Sequence, residues 1–233
     1  MTKILLTGSS GQIGGATFQY LSDLGYNVKP FDIKTGQNML NLKHVDNIVK
    51  GMDIVVHLAA IPHPHKQFTG RDYFRTNVVG TFNMIEASVK HKVKRFIYSS
   101  STAYYGLAKN LNEVKAPIGD EDTLNWVQVA SANDKLIPCW LYYGSSKVAS
   151  EALIAAYGDS KQIETAILRF APCPPDKSKI AGIMQNWGAY VTIADASRSI
   201  QLAIDYEGEL WYERFNISTE GTDCTKAKEI LGY

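Results

Sequence analysis

The sequence predicts an α/β domain, a doubly wound parallel sheet covered by helices on both faces, with a small, reduced lobe at one edge. Three observations carry this reading. Short apolar runs alternate with segments of helical spacing, and strands alternating with helices form βαβ units whose strands run parallel. The first run empties directly into a glycine-rich turn, Gly8 to Gly14. A chain of 233 residues, 45% hydrophobic and 20% charged, suits one unit over 1–233 with an ordinary buried core.

The elements follow in order. Lys3–Thr7 is a short apolar run, as strands covered on both faces are. Ile13–Leu24 has helical spacing at Ile13, Phe18, Leu21 and Leu24, and stops at Gly25, a suitable C-terminal cap. Val28–Asp32 is a second strand, Val45–Lys50 a short helix before Gly51, and Asp53–His57 a third strand. Arg71–Lys90 reads as a longer helix, with Phe74, Val78, Phe82, Ile85 and Val89 at spacings of three and four. Then come a strand at Arg95–Ser99, a helix at Tyr143–Tyr157, a strand at Ile163–Leu168, a helix at Ala194–Ile204, a strand at Arg214–Ile217 and a helix at Asp223–Leu231. Gly106–Leu141 is polar and irregular, and Pro172–Gly188 is proline-rich with little periodicity. Both follow strands on the carboxyl edge of the sheet, where open α/β folds bind ligands. They are the candidate substrate lid, and a reduced substrate lobe is expected from about 172–190 and the segment 205–233.

The formal net charge of +1 offers no large field, so nucleic acid and an anionic membrane surface are not expected partners. Cys139, Cys173 and Cys224 are scattered without a CxxC pair, against a disulfide framework or a structural zinc. The apolar run at Met1–Gly8 is too short for a signal peptide, and no stretch approaches the roughly 20 apolar residues of a membrane span. A soluble, reducing, cytoplasmic setting is expected by elimination.

Gly8-Ser9-Ser10-Gly11-Gln12-Ile13-Gly14 has the spacing GxxGxxG. Missing Cβ atoms let such a backbone turn sharply against a pyrophosphate, whose charge is attracted by free N–H groups and the helix dipole. A purely structural turn is the plain alternative. Position favours a dinucleotide: this is the first βα turn, and Asp32 ends the second strand 18 positions past Gly14, where a carboxylate can accept hydrogen bonds from ribose hydroxyls. No arginine follows Asp32 to hold a 2′-phosphate, although Lys34 is a partial substitute, so NAD is expected over NADP. A loop carboxylate or helix cap is the alternative for Asp32.

Tyr143-Gly144-Ser145-Ser146-Lys147 sets a phenol and an ammonium four residues apart on one helix face. A nearby cation favours the phenolate, which a general base requires. Ser99-Ser100-Ser101 ends the strand begun at Arg95, where a hydroxyl can orient a substrate oxygen toward the phenol. An amphipathic helix and a plain serine turn are the alternatives.

Together these segments resemble the extended short-chain dehydrogenases/reductases of the NAD-dependent epimerase/dehydratase family, which are Rossmann-type. The resemblance is carried by Thr7–Gly14, Asp32, His57-Leu58-Ala59-Ala60, Asn77-Val78-Val79-Gly80-Thr81, Tyr98–Ser101, Tyr143–Lys147, Leu168-Arg169-Phe170, Phe215-Asn216-Ile217 and Lys226–Tyr233, nearly the whole chain. It implies Ser101 as the catalytic hydroxyl, Tyr143 as general acid/base, and Lys147 as the residue that binds the nicotinamide ribose and lowers the tyrosine pKa. It implies cofactor contacts at Gly8, Ser10, Gly11, Gln12, Ile13 and Gly14, at Asp32, at Leu58, Ala59 and Ala60, and at Ser99, with Asn77 stabilising the site. Where relatives often have an Asp that reads the adenine amino group, Asn41-Leu42 stands here, and its amide oxygen can accept the same bond.

Relatives acting on nucleotide sugars usually carry a longer segment after the Leu-Arg strand. Here about 25 residues separate Arg169 from Asp195, and Arg169–Asp176 with the compact tail resembles the short uronate dehydrogenase branch. The implied function is hydride transfer between NAD and a hydroxyl-bearing carbon of a small sugar or sugar acid. The alternatives are a nucleotide-sugar epimerase or dehydratase that uses NAD transiently, and a sensor that binds NAD without chemistry.

For the substrate, His63, Ser101 and Arg169 are candidates, with Lys177 and Lys179 for a sugar carboxylate. His63-Pro64-His65 reads as a solvated loop or a substrate contact; it lacks a third ligand of suitable spacing, so no metal is expected. Trp126, Trp140 and Trp187 are placed to stack on a sugar ring or simply to pack loops. Val148, Ala152 and Ala156 form a small-residue stripe, which the family resemblance implies for dimerisation, with core packing the equal alternative.

Overall fold

The computed structural model describes residues 2–63, 65, 67–105 and 137–233. Among the described residues, six parallel strands, β1 (Lys3–Thr7), β2 (Asn27–Phe31), β3 (Ile54–His57), β4 (Arg95–Ser101), β5 (Glu164–Phe170) and β6 (Glu213–Ile217), lie in the order β2-β1-β3-β4-β5-β6. The described helices are α1 (Gln12–Asp23), α2 (Leu42–Val49), α3 (Gly70–Tyr73), α4 (Gly80–Lys90), α5 (Ile137–Asp159), α6 (Ile180–Trp187), α7 (Ile193–Asp205) and α8 (Thr225–Leu231).

The inner strands β1, β3, β4 and β5 are buried along nearly all their length because both faces are covered, whereas the edge strand β2 exposes Asn27, Lys29 and Pro30; the pleat sends alternate residues to opposite sides. Ile4 and Leu6 pack with Leu21 of α1 and Ile200 of α7, whereas Leu5, Val55 and Phe96 pack with Val45 of α2, Met84 of α4 and Ile154 of α5. Each such fully buried Leu, Ile or Phe contributes about 1.5–3 kcal/mol. The strand order reverses between β1 and β3, which opens a crevice at their carboxyl ends. Gly8 follows one of these strands and Leu58 the other, so the glycine turn stands at the crevice.

Two expectations need correction. Pro172–Gly188 is not an irregular loop: it holds a tight turn at Lys177–Lys179 and then α6, which Gly188 ends in the left-handed conformation at φ 66°. This eight-residue helix buries no residue fully, so its apolar side chains never form the buried stripe that periodicity detects. The Arg71–Lys90 helix does form, but as α3 and α4 joined by a wider π-helical turn at Phe74–Val79. Within Gly106–Leu141, residues 106–136 lie outside the described residues, and α5 begins at Ile137, before Tyr143.

Candidate active site

The cleft begins at the glycine turn. Gly8 has φ +70°, and a Cβ there would stand 2.8 Å from the Ala59 nitrogen; a Cβ on Gly14 would lie 2.1 Å from the Gly8 oxygen. Side chains are excluded because the turn, α1 and the end of β3 close directly on one another. Gly11 caps α1 with no side-chain hydrogen bond to its first-turn amides, and Gly11, Gln12, Ile13 and Gly14 line the cleft. Gln12 reaches across it, donating from Nε2 to the carbonyls of Cys173 at 3.3 Å and Pro174 at 3.2 Å.

Asp32, just past β2, is buried yet lines the same cleft. Its Oδ2 accepts from the Ser10 N–H and its Oδ1 from the Lys34 N–H, each at 2.8 Å, which fixes the carboxylate in place. Ser10 thus acts through its backbone on Asp32. The cleft of about 1020 Å³ passes from Asp32 along Gly8–Gly14 and Leu58, Ala59 and Ala60 to Ser99, Ser101, Tyr143 and Lys147. A cradle that any Cβ would fill, uncapped amides and a fixed carboxylate fit a pyridine dinucleotide.

The expected adenine contact is displaced. Asn41 uses its side-chain oxygen to cap α2, accepting from the N–H groups of Lys43 and His44, and Leu42 is 65% exposed. Neither lines the cleft; Asn38, Met39 and Leu40 do. A helix cap needs the amide oxygen at Asn41, so the segment that lines the cleft begins three residues earlier, at Asn38.

At the other end, β4 delivers Ser101 and α5 delivers Tyr143 and Lys147, one helical turn apart. The buried Tyr143 phenol shares a hydrogen bond with the Ser101 side chain, and the Ser101 Oγ accepts from the Ala103 N–H at 3.1 Å. Burial pushes the phenol up to about 12, against the lowering effect of the Ser101 bond. Lys147 Nζ donates to the Ser99 carbonyl at 2.7 Å and lies 5.9 Å from the Tyr143 ring centre. Burial brings this ammonium down to about 8, while the Glu151 carboxylate supports its charge.

Asn77 lies behind the cleft wall: its Oδ1 accepts from the Ile61 N–H at 2.8 Å and its Nδ2 donates to the Ser146 Oγ at 2.9 Å. His63 and Trp187 line the mouth, with Phe68, Asp72 and Thr222, which sequence reasoning did not single out. No local pattern marks these three; only the chain's path brings them together. Trp126, Pro64 and the side chain of Trp140 lie outside the described residues. Among the described residues, no three His, Cys, Asp or Glu side chains gather into a possible metal site.

Arg169 is not a substrate contact. It is fully buried and absent from the lining; its Nη2 donates to Glu151 Oε2 at 2.7 Å, its Nη1 to the Tyr105 hydroxyl at 2.7 Å, and its guanidinium stacks 3.7 Å from the Tyr104 ring centre. An unpaired buried guanidinium is too costly, so the strand interior holds Arg169 against Glu151. Lys177 and Lys179 are exposed and also outside the lining.

Residues 4–173 match the NAD dependent epimerase/dehydratase family. The chain is 28% identical over 176 residues to L-arabinose 1-dehydrogenase (NAD(P)(+)) of Haloferax volcanii, covering 72% of this chain and 66% of that protein. It is 28% identical over 192 residues to dTDP-D-glucose 4,6-dehydratase of Dictyostelium discoideum, covering 72% and 43%. The matching stretch thus spans less than two thirds of either curated relative. A solved mutated uronate dehydrogenase shares the fold at TM-score 0.73 and 22% identity, over 100% of this chain and 80% of that one. The family match takes in most of the chain, from the glycine turn through Asp32 and Ser101 to Lys147, and on it the chain belongs to the NAD-dependent epimerase/dehydratase family, with NAD as its cofactor.

Proposed function

We propose that this chain is an NAD-dependent oxidoreductase acting at a hydroxyl- or carbonyl-bearing carbon of a small sugar-like substrate, a sugar or sugar acid. One observation carries the reading. The Ser101 hydroxyl, the Tyr143 phenol and the Lys147 ammonium line one end of the cleft whose other end is the glycine turn and Asp32. Bound NAD supplies the hydride acceptor or donor. The first-turn amides of α1 hold its pyrophosphate, Asp32 its adenosine ribose, and Lys147 its second ribose.

Ser101 Oγ hydrogen-bonds the substrate oxygen, and Tyr143 Oη takes its proton as the alcohol is oxidised or returns it on reduction. From about 12, the phenol must fall about four units to act near pH 8, which requires differential stabilisation of about 5 kcal/mol. Lys147, 5.9 Å from the Tyr143 ring centre, favours the phenolate in this dry wall, and bound oxidised NAD would add a second positive charge.

The short span between Arg169 and Asp195, about 25 residues, favours a small substrate over a nucleotide sugar. The likeness to a dTDP-D-glucose 4,6-dehydratase supports a second reading, in which NAD is reduced only transiently. Sugars, sugar acids and nucleotide sugars incubated with NAD separate the two, because only the first gives net reduced nicotinamide. Tyr143→Phe is expected to lower kcat by roughly 10²–10⁴-fold; unchanged turnover would remove Tyr143 from the mechanism.

The reading includes a homodimer and a cytoplasmic setting. Ala152 and Ala156 are exposed on α5, as the stripe requires for a second copy, and among the described residues no helix is long and apolar enough to cross a membrane.

A further inference from the structure

We propose that His57 is a positioning residue: through Thr7 on one side and Thr81 on the other, it fixes the Leu58–Ile61 turn of the cofactor cleft against the helix that carries Tyr143. This rests on the reading of the cleft as an NAD site and adds a residue to which no role has been assigned above.

His57 is the last residue of β3 and is fully buried. Its ring lies 5.9 Å from that of Tyr98 at an interplanar angle of 28°, and 5.6 Å from that of Phe96. Donor and acceptor arithmetic fixes its tautomer. The single proton of Thr81 Oγ1 goes to the Asn77 carbonyl at 2.5 Å, so Thr81 can only accept from His57 Nε2, 3.1 Å away. His57 Nε2 therefore carries the ring proton and Nδ1 is an acceptor. The Thr7 hydroxyl, 2.7 Å from Nδ1, donates to it, while its oxygen accepts from the N–H groups of Leu58 at 3.2 Å and Ala59 at 3.1 Å.

The bonds thus run in one direction, from the Leu58 and Ala59 amides through Thr7, His57 and Thr81 to the Asn77 carbonyl. Asn77 sits in the π-helical turn, and its side chain holds the far end of the same cleft turn at Ile61. It also donates to Ser146 Oγ, which donates to the Tyr143 carbonyl at 2.7 Å. Leu58, Ala59 and Ile61 all line the cleft, and the Ala59 nitrogen and Leu58 carbonyl carbon are the atoms a Cβ on Gly8 would strike. A displaced turn therefore changes the width of the groove under the dinucleotide. Burial, reinforced by the Lys147 cation, holds His57 down to about 3, so this strut keeps one protonation state at working pH.

His57→Phe keeps a stacked ring and removes both nitrogens. Calorimetric titration with NAD is expected to show a dissociation constant raised about tenfold or more, as the Thr7 and Thr81 hydroxyls lose their partners, with a smaller fall in kcat. Thr7→Val should raise it comparably, whereas Thr7→Ser, which keeps the hydroxyl, should stay within about threefold of the parent. The pH profiles of the parent and His57→Phe should run parallel. A lowered unfolding temperature with unchanged NAD affinity in His57→Phe and Thr7→Val would overturn the proposal, as would loss of a pH limb in His57→Phe. If His57→Phe does not fold, the Val and Ser variants of Thr7 decide alone. A parent protein that binds no NAD would instead remove the cofactor reading.

Discussion

Strands β4 and β5 pair in register from Arg95 opposite Glu164 to Ser101 opposite Phe170, and each end of this pair holds a buried arginine against a glutamate. At the amino end, Arg95 binds Glu164 and donates to the carbonyls of Ala203, Tyr206 and Gly208, which end α7 and the turn after it. That arrangement ties backbone to backbone and lies outside the lining of the glycine-turn cleft. At the carboxyl end, Arg169 binds Glu151 of α5, and Glu151 also receives the hydroxyl of Ser100, the neighbour of Ser101. The Tyr105 hydroxyl, which accepts from Arg169, donates to Asn216 of β6 at 2.7 Å. The same chemistry thus ties backbone at one end and, at the other, holds the strand end that carries Ser101, the hydroxyl proposed to contact substrate.

The largest expected effect separates the two ends. Arg95→Met and Arg169→Met should each lose about 3–5 kcal/mol of folding stability, because each leaves a carboxylate buried without its partner. In the folded fraction, Arg169→Met should also lower kcat, on the order of tenfold to a hundredfold, as Ser101 shifts against Tyr143. Arg95→Met should leave kcat unchanged. Denaturant unfolding and steady-state rates, measured on the same preparations, check both. Equal turnover in the two variants would reduce the carboxyl-end pair to a stability device.

This contrast also marks what the sequence could reveal. Alternating apolar and helical segments were readable because the sheet is covered on both faces, and the six strands lie within a few residues of their expected places. Ser101, Tyr143 and Lys147 were readable as neighbours because a strand end and a helix turn bring them to one edge of the sheet. Arg169 was not: an arginine ending an apolar strand suggests a ligand contact until Glu151, 18 positions earlier, is seen beside it. Asn41 misled for a similar reason, since one amide suits both an adenine and a helix cap, and only the backbone path decides. The Thr7, His57 and Thr81 chain joins three segments whose hydroxyls and imidazole carry no joint pattern in the sequence.

A smaller effect tests the far side of the carboxyl edge. Asp32→Ala should raise the NAD dissociation constant by about tenfold to a hundredfold, since the ribose hydroxyls lose a charged acceptor. NADP should be affected less, because its 2′-phosphate gains little from a carboxylate. The stability cost should be about 1 kcal/mol, from the lost cap on the turn at Ile33–Thr35. Equal losses for both cofactors, read by titration calorimetry, would contradict the ribose role.

The smallest effect concerns charge alone. Burial holds Lys147 near 8, below the ordinary 10.5, and Glu151 resists that fall. On the proposed role of Lys147 in holding the cofactor, the neutral amine above pH 8 has no charge to offer it, so NAD binding should take up a proton there and weaken as pH rises. Between pH 7 and 8.5 the affinity should drop roughly fourfold. Of the other titratable groups near Lys147, Tyr143 is raised to about 12, Tyr98 lies higher still and His57 is held near 3, so none of the three titrates in this window. Folding stability moves the other way: between pH 8 and 10.5 the unfolded chain binds more protons at Lys147 than the folded one, so this group favours folding as pH rises. Weaker binding there cannot be loss of fold through Lys147. Lys147→Arg keeps its charge across the range and should flatten the dependence, whereas a parent whose affinity is constant to pH 8.5 would show that the ammonium takes no part in holding NAD.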